Sequence, residues 1–287
     1  MLSTGLVFFF RSILQKGSLP AEWLTATVIP IFKKGSRLKC SNYRPISLTC
    51  TICKVFERLI KDKMMLHLIR NNLLHSSQHA FLPKRSCCSA LLTFLNAVTS
   101  AIDNHQNADA IFLDLSKAFD SVSHRRLILK LESFGFSGNV LNWIRAYLYN
   151  RSQRVQIGNS FSAYLPVISG VPQGSVLGPL LFLIFMDDLD DYLQDSKIIK
   201  FADDAKIFVT FPMSSPSYTV RLQDDLSRVA EWCSTWHLSL NLDKCTCIHF
   251  GLHNKNKTYF IGNKAVCNSN SVTDLGVLIT KDLKPSS

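Results

Sequence analysis

The sequence has no uninterrupted apolar run of the roughly 18 to 20 residues that a membrane-spanning helix needs, which argues against a membrane protein. Its opening stretch, "MLSTGLVFFFRSIL", is apolar but has no basic segment before it and no small-residue cleavage site after it. We therefore expect a core helix there and not a signal peptide. Internal repeats, low-complexity tracts and an obvious linker are also absent, which predicts one compact domain over residues 1–287.

A disulfide framework is not indicated either, because the nine cysteines are an odd number and no signal peptide accompanies them. This pattern favours a reducing, intracellular compartment, and the sequence does not decide between nucleus and cytoplasm. Two short clusters resemble metal ligands, Cys50 with Cys53 and Cys245 with Cys247 and His249. Neither has a second pair at zinc-finger spacing, so we prefer buried free thiols to a structural zinc.

Acidic residues are scarce in the first third of the chain. Residues 1–100 contain 14 Lys and Arg against 3 Asp and Glu, whereas the remaining residues contain 18 of each. A solvated basic surface would account for this surplus, but such a concentration is more typical of contact with a polyanion, and nucleic acid is the first candidate.

Hydrophobic periodicity predicts a mixture of helices and strands. Strands are expected at 22–32 and 109–115, with hairpins at 152–170 and 197–209, and a basic loop at 33–45. Helices are expected at 46–74, 88–105, 116–135, 140–151 and 176–193. The inward face of the first of these helices should contain Val55, Leu59, Ile60, Met64 and Leu68.

Three adjacent Asp-Asp pairs occur between residues 187 and 204. The first two, Asp187-Asp188 and Asp190-Asp191, follow a long apolar run and should crowd the end of a helix, where the dipole disfavours anions. We expect them to point into solvent. The third, Asp203-Asp204, has β-rich segments on both sides at hairpin spacing, and Asp tolerates the left-handed backbone of such turns.

Asp114 lies on the predicted strand 109–115. If this strand neighbours the 197–209 hairpin in one antiparallel sheet, Asp114 and Asp203 can converge. Three carboxylates would then bind two Mg²⁺ ions, with Mn²⁺ as a possible substitute, because these ions prefer oxygen ligands. Two such ions stabilise the attacking and leaving oxygens of an in-line phosphoryl displacement.

Seven motifs in order resemble the reverse transcriptases of non-LTR retrotransposons, of the jockey and chicken-repeat type. They are "WLTATVIPIFKKGSRLKCSNYRPISLT", "FLPKRSCCSALL", "IFLDLSKAFDSVSH", "GVPQGSVLGPLLFLIF", "FADDAKIF", "EWCSTWHLSLNLDKC" and "DLGVLI". The resemblance implies an α+β right-hand polymerase with an antiparallel palm sheet packed on helices. Residues 1–105 would form mainly the fingers and 106–287 mainly the palm. The thumb, the endonuclease and the accessory nucleic-acid-binding domains of full-length elements would lie outside the chain.

The resemblance also implies roles for single residues. Asp114 and Asp203 match the metal-binding aspartates, and Asp204 matches their neighbour. Phe119 matches the aromatic ring beneath the incoming sugar, where it would exclude a 2′-OH; the alternative is an ordinary core Phe. Gln173 and Gly174 of "PQG" match the segment along the nascent base pair, where glycines would let backbone approach a nucleotide.

Basic residues complete the implied site. Lys244 matches a lysine near the triphosphate, Arg44 with Lys33 or Lys34 matches finger residues that close on phosphates, and Arg85 would lie along the template. Each of these could equally be a solvated surface charge. The chain departs from the family at "HAF", where Phe-Gly-Phe is usual, and at Lys84, where glycine is usual.

The implied activity is RNA-directed DNA synthesis, in which a DNA primer 3′-OH attacks a dNTP on an RNA template. A nucleic-acid-binding remnant without turnover is the main alternative, since the thumb is expected to be missing. A metal phosphohydrolase using Asp114 and Asp203 is a weaker one, because it explains neither the basic first third nor "PQG".

Overall fold

The computed structural model of the chain describes residues 2–212 and 217–284. The chain forms two compact units, each built from two stretches of sequence. Unit 1 contains residues 1–73 and 119–185, and unit 2 contains residues 74–118 and 186–287. The division between fingers and palm at residue 105 coincides with none of these boundaries and stays a prediction.

The described residues alternate between helices and short strands. In chain order the helices are α1 (Leu2–Lys16), α2 (Thr51–Arg70), α3 (Cys87–Asp103), α4 (Ala118–Ser121), α5 (His124–Ser133), α6 (Gly138–Leu148), α7 (Gly178–Met186) and α8 (Ser217–Trp236). The strands are β1 (Thr25–Phe32), β2 (Tyr43–Leu48), β3 (Gln106–Leu113), β4 (Ser152–Ile157), β5 (Ser160–Phe161), β6 (Leu165–Pro166), β7 (Lys197–Phe201), β8 (Asp204–Pro212), β9 (Thr246–Phe250), β10 (Phe260–Ile261), β11 (Lys264–Ala265), β12 (Cys267–Asn268), β13 (Ser271–Asp274) and β14 (Val277–Thr280).

Unit 1 has an aromatic core beneath one face of α2. The Phe56 ring lies 4.8 Å from the Phe10 ring of α1 and 5.1 Å from the Trp143 ring of α6. The prediction that Ile60, Met64 and Leu68 face inward is confirmed, since all three are buried. It was wrong for two residues that lie beside the buried stripe of the helix, Val55 and Leu59, which are 50% and 51% exposed.

A small sheet completes unit 1. Strand β1 pairs antiparallel with β2 and parallel with β4, and β5 and β6 both pair with β4. The predicted hairpin turn at Gly158-Asn159 is confirmed, because Ile157 pairs with Ser160. The connection between β1 and β2 is 33–42, so the basic loop predicted at 33–45 was wrong for its last three residues, which begin β2 and place Arg44 opposite Ile31.

Unit 2 is built on a sheet of order β12-β9-β3-β8-β7, which is antiparallel except for the short parallel pair of β12 with β9. The central strand, β3, pairs antiparallel with both β8 and β9. Helix α3 packs on this sheet through Phe94, whose ring makes edge contacts with Phe112 of β3, Phe208 of β8 and Phe250 of β9. The prediction of an antiparallel sheet packed on helices is therefore confirmed.

Several predicted helices are shorter than expected. The helix predicted over 46–74 is α2, Thr51–Arg70, because residues 46–48 belong to β2. The helix predicted over 116–135 is divided into α4 and α5, because the backbone of Ser123 is extended between them, with ψ of 118°. The helix predicted over 176–193 ends at Met186 and continues as a 3-10 turn through Asp187–Tyr192. In the ranges 2–212 and 217–284, no helix has both the length and the apolarity to span a membrane.

Candidate active site

Asp114 is the first residue beyond β3, one position past the strand end, so the prediction that it lies on the strand was wrong by one residue. Its carbonyl oxygen accepts a hydrogen bond from Asn241 N at 2.7 Å, and Ser116 N donates to Ser239 O at 2.7 Å. These two bonds fix the backbone of residues 114–116 against residues 239–241. The Asp114 side chain is thereby held by backbone on both sides while a third of its surface stays exposed (33%).

Asp203 lies in the tight turn between β7 and β8. The turn residues are Ala202 and Asp203, because Phe201 pairs with Asp204, which is the first residue of β8. The prediction that Asp203 and Asp204 form the turn was therefore wrong by one residue, and Ala202, with φ of 57°, adopts the left-handed conformation expected of Asp. The predicted pairing is confirmed, since Leu113 lies opposite Ala205.

The β3–β8 register brings Asp114, Asp203 and Asp204 to one end of the sheet. Asp204 keeps an exposed surface, yet the protein around it withholds solvent and raises its pKa to about 6. The negative charges of Asp203, Asp274 and Asp114 raise the pKa further in the same direction, and Lys206 opposes them. Carboxylates that repel one another in this way favour either a proton or a cation between them.

Two lysines face these carboxylates. Lys244 Nζ lies 3.4 Å from both oxygens of Asp114, and Lys206, buried in the sheet, forms an ion pair with Asp274. Asp274 was missed by the sequence reasoning, although it begins the motif "DLGVLI". Asp274 lies in β13, which pairs with β14 outside the five-stranded sheet, so only its ion pair with Lys206 of β8 shows that it belongs beside these carboxylates.

The donor set suits a hard divalent cation. Asp114, Asp204, Lys206, Lys244 and Asp274 line a cavity of about 120 Å³. Carboxylate oxygens are ligands that Mg²⁺ and Mn²⁺ accept, and no Cys or His stands among them. Across the described parts of the chain, however, no three such side chains are already grouped at metal-binding geometry. The carboxylates fit a metal by chemistry, and binding would require Lys244 to release Asp114.

The other acidic pairs have protein partners, and the prediction that they point into solvent was wrong for three of the four residues. Asp187 is buried and accepts from both the backbone N and the ring Nδ1 of His75, at 3.1 and 2.9 Å. Asp188 accepts from Trp232 Nε1 at 2.8 Å. Asp190 forms an ion pair with the buried Lys200. Asp191 alone of the four is largely exposed (64%).

Phe119 and the "PQG" segment belong to unit 1. The Phe119 ring stacks on the Phe182 ring of α7, with centroids 4.0 Å apart and planes 13° from parallel. Gln173 Nε2 donates to Asp120 Oδ1 at 2.8 Å, and its carbonyl oxygen accepts from Ser47 N at 2.7 Å. Phe119 is half-buried.

Protein backbone, and not open space, lies where a side chain of residue 174 would be. A Cβ at this position would lie 2.7 Å from the carbonyl oxygen of Ser47, and the backbone has a φ of 107°. Both facts require glycine. In the structure, glycine is needed at this position because it lets the loop pack against β2. Its expected role beside a nucleotide stays a prediction.

Glu57 of α2 holds the same loop and was missed by the sequence reasoning. It is fully buried, and its Oε2 accepts from the backbone N of Val176 at 2.7 Å and of Leu177 at 2.9 Å, just before α7 begins. Its other oxygen accepts from the thiol of Cys53 at 3.4 Å. A glutamate on an amphipathic helix gives no sequence signal of such a role.

The predicted basic residues are exposed and fall in both units. Lys33 and Lys34 follow β1, and Arg44 stands on β2, so these three share one hairpin of unit 1. Arg85 belongs to unit 2, where it lines a separate cavity of about 490 Å³ together with Lys197.

The cysteines are free thiols, as predicted. Cys53, Cys245 and Cys247 are buried, and burial raises the pKa of each thiol. His249 Nδ1 donates to Asp109 Oδ1 at 2.7 Å. The prediction of buried thiols holds for these clusters, with Cys50 half-buried.

Comparison with known proteins gives one family. The profile of the family described as reverse transcriptase (RNA-dependent DNA polymerase) matches residues 31–279. The RNA-directed DNA polymerase from mobile element jockey of Drosophila melanogaster is 30% identical over 253 residues, covering 85% of this chain and 27% of the relative. The probable RNA-directed DNA polymerase from transposon X-element, also from Drosophila melanogaster, is 29% identical over 281 residues, covering 96% of this chain and 31% of the relative. These matches confirm the resemblance drawn from the motifs.

Solved structures give the same fold. Telomerase from Candida albicans, in complex with a fragment of telomeric RNA, superposes with a TM-score of 0.63 at 15% identity, covering 96% of this chain and 48% of that one. Apo telomerase from Candida tropicalis, truncated from its C-terminal domain, superposes with a TM-score of 0.59 at 14% identity, covering 99% of this chain and 60% of that one. The right-hand polymerase fold is therefore confirmed. The chain spans between a quarter and a third of the length of the curated relatives described above, at 27% and 31%.

Proposed function

Because this chain belongs to the reverse transcriptase (RNA-dependent DNA polymerase) family, we propose that it carries out the nucleotidyl-transfer chemistry of an RNA-directed DNA polymerase. The observation that carries the proposal is the placement of Asp114 and of the adjacent Asp203 and Asp204 at one end of the β3–β8 pair, where their charges repel. The names of the relatives, which are RNA-directed DNA polymerases of mobile elements, support an RNA template and deoxynucleotide substrates.

The reaction joins a primer 3′-oxygen to the α-phosphorus of a dNTP. A new P–O bond forms as the bond from the α-phosphorus to the bridging oxygen breaks, pyrophosphate leaves, and the proton of the 3′-hydroxyl passes to solvent or base. Polymerases of this family generally use divalent metal ions, which lower the pKa of the attacking hydroxyl and offset charge on the leaving oxygen. We propose two Mg²⁺ ions, held by Asp114, Asp203 and Asp204.

The remaining residues would bind and orient the substrates. Lys244 is placed beside Asp114 at 3.4 Å and would exchange that carboxylate for the triphosphate when a metal binds. Gln173 and Gly174 would lie along the nascent base pair, and Phe119 would stand beneath the sugar and exclude a 2′-OH by its volume.

The basic residues would meet the nucleic acid. Lys33, Lys34 and Arg44 would contact phosphates from the β1–β2 hairpin, and Arg85 would follow the template. A DNA primer and an RNA template are the expected partners, and the endonuclease and accessory domains of longer elements would act in other parts of a full-length protein.

Primer extension on an RNA template tests this function. The purified chain should add labelled dNTPs in the presence of Mg²⁺, and Asp203→Asn should reduce the rate by about 1,000-fold or more, a loss of about 4 kcal/mol of transition-state stabilisation. Asp188→Asn is the matched control, because its Oδ1 can still accept from Trp232, and it should retain most of the rate. A wild-type chain that binds primer and template without extending them would identify the nucleic-acid-binding remnant instead.

A further inference from the structure

The segment just before α3 pairs with the outer edge of the palm sheet. Gln78 forms a parallel bridge with Lys200 of β7, supported by hydrogen bonds from Lys200 N to Ser77 O and from His79 N to Lys200 O, both 2.9 Å. Strand β7 is the last strand of the sheet, so residues 77–79 cover its otherwise unpaired edge. The segment belongs to unit 2, like the carboxylates themselves.

Beyond His79, the Gln78 side chain supplies the hydrogen-bond acceptor that the backbone ladder would otherwise supply. In a parallel ladder the next bond would run from Ala202 N to the carbonyl oxygen of His79. Instead, Ala202 N donates to Gln78 Oε1 at 3.2 Å. The same oxygen accepts from Ala80 N at 2.9 Å, so one buried side-chain atom ties the covering segment to the turn.

The residue held in this way is strained. Ala202 has a φ of 57°, a left-handed conformation that its Cβ disfavours, and it directly precedes Asp203. Strain of this kind persists where the surroundings determine the backbone. Gln78 Oε1 supplies such a determinant at the amide of the strained residue.

The oxygen end of the Gln78 amide accepts hydrogen bonds, and the nitrogen end does not donate any within the described residues. Its oxygen has two backbone donors, whereas its Nε2 is buried without a hydrogen-bond partner among the described residues. The two donors fix which end is the oxygen. A buried donor without a partner is unfavourable, so packing alone would be served better by an apolar side chain of this length.

We propose that Gln78 is a positioning residue that sets the Ala202-Asp203 turn and thereby the metal affinity of Asp203. The inference rests on the proposed function, because it takes Asp203 as a metal ligand. Gln78 itself touches no substrate and acts through the backbone amide of Ala202. Groups that orient metal ligands typically change affinity by about 10- to 100-fold when they are removed.

The test uses Mn²⁺ alone as the probe, followed by electron paramagnetic resonance of the free ion, so that no turnover is needed. Gln78→Met keeps the length of the side chain and removes the acceptor, and it should weaken Mn²⁺ binding by about tenfold. Gln78→Glu keeps an acceptor oxygen and should retain the wild-type affinity or exceed it. Ala202→Gly, added to Gln78→Met, relieves the positive φ and should restore at least half of the loss on a logarithmic scale.

A matched destabilised variant separates positioning from stability. Leu222→Ala truncates a buried side chain of α8 in unit 2 and should lower the melting temperature while leaving Mn²⁺ affinity unchanged. Equal losses of affinity in Leu222→Ala and Gln78→Met, or none in Gln78→Met, would overturn the inference. If Gln78→Met does not fold, Gln78→Asn, whose shorter side chain cannot reach Ala202 N, is measured in its place with the same expectation.

Asp203→Asn separates a failure of the proposed metal site from a failure of the proposed role of Gln78. Loss of Mn²⁺ binding in this variant with no change in Gln78→Met would leave the proposed metal site standing and remove the role of Gln78. Unchanged binding in Asp203→Asn would overturn the metal site itself, and the role of Gln78 with it.

Discussion

The two units of the chain differ most in charge. Unit 1 contains 18 Lys and Arg against 5 Asp and Glu, whereas unit 2 contains 14 against 16. The unit with the surplus of positive charge therefore does not hold the repelling carboxylates. A polyanion would be attracted by unit 1, and unit 2 would need a cation before it could accept a phosphate. Under the proposed function, this difference predicts that a metal and a basic surface are both required.

A second contrast lies within unit 2. The carboxylates of the 3-10 turn, Asp187, Asp188 and Asp190, accept hydrogen bonds from His75, Trp232 and Lys200. At the start of β8, by contrast, burial and then the neighbouring carboxylates raise the pKa of Asp204. The first group stabilises the fold, and the second holds repulsion that a metal would relieve.

Charge reversal in unit 1 should have the largest effect on this comparison. Replacing Lys33, Lys34 and Arg44 together by Glu should weaken binding of an RNA–DNA hybrid by about 100-fold. The slope of log binding constant against log salt concentration should become shallower by up to about 3, since each lost phosphate contact removes about 0.9. Fluorescence anisotropy against salt concentration measures both. The matched control reverses three exposed lysines of unit 2, Lys255, Lys281 and Lys284. An equal loss in the control would contradict the assignment of binding to unit 1.

Removal of the buried carboxylate of unit 1 should come next. Glu57→Leu leaves the backbone N–H groups of Val176 and Leu177 without an acceptor and should lower the free energy of unfolding by about 2–4 kcal/mol. Urea denaturation measures the change. Asp62→Leu, an exposed position on the same helix, should stay within about 0.5 kcal/mol. Equal stability of the two variants would show that the loop before α7 does not depend on Glu57.

Phe119→Val tests a specificity role in unit 1. If the ring excludes a 2′-OH by volume, the ratio of kcat/KM for dNTP to that for rNTP should fall by about tenfold, or 1.4 kcal/mol, with little change in dNTP use. Phe119→Tyr should keep the ratio. An unchanged ratio with a lower melting temperature would assign Phe119 to the core, as its stacking on Phe182 also allows.

The pH dependence of stability tests the structural role of Asp187. Burial lowers the pKa of His75, but the hydrogen bond and charge of Asp187 outweigh it, so the net pKa is raised above 6.5. A raised histidine pKa stabilises the fold below the unfolded value, and this contribution is lost as the pH rises through the folded value. His75→Gln should therefore lose up to about 1 kcal/mol at pH 6 and almost nothing at pH 8, since His75 is partly solvent-screened. A loss that does not change with pH would contradict the ion pair.

The smallest expected effect concerns Lys84, the position at which the resemblance drawn from the motifs leads us to expect glycine. Its φ is 60°, so Lys84→Gly should raise the free energy of unfolding by about 0.5–1 kcal/mol. Lys84→Ala keeps the Cβ and should give no gain. Equal stability of the two variants would show that the positive φ carries no strain.

The sequence predicted the β7–β8 hairpin because alternation and turn spacing are local patterns. The convergence of Asp114 with Asp203 was predicted only on the condition that strand and hairpin neighbour each other in one sheet, and the β3–β8 pairing meets that condition. The sequence did not predict Glu57, Gln78 or Asp274, whose roles depend on contacts between distant stretches. It also misjudged Asp187, because a buried aspartate and a solvated one look alike until the partners, here His75, are known. The turn shift to Ala202 had no signal, since alanine rarely adopts a positive φ.

Iron-directed cleavage locates the metal most directly. Fe²⁺ occupies oxygen-ligand sites that suit Mg²⁺, and with peroxide and ascorbate it cuts the backbone beside the bound ion. The account predicts cuts at residue 114 and at residues 202–204 that are suppressed by excess Mg²⁺ and lost in Asp203→Asn. Cuts confined to residues 187–191 that persist in Asp203→Asn would contradict it.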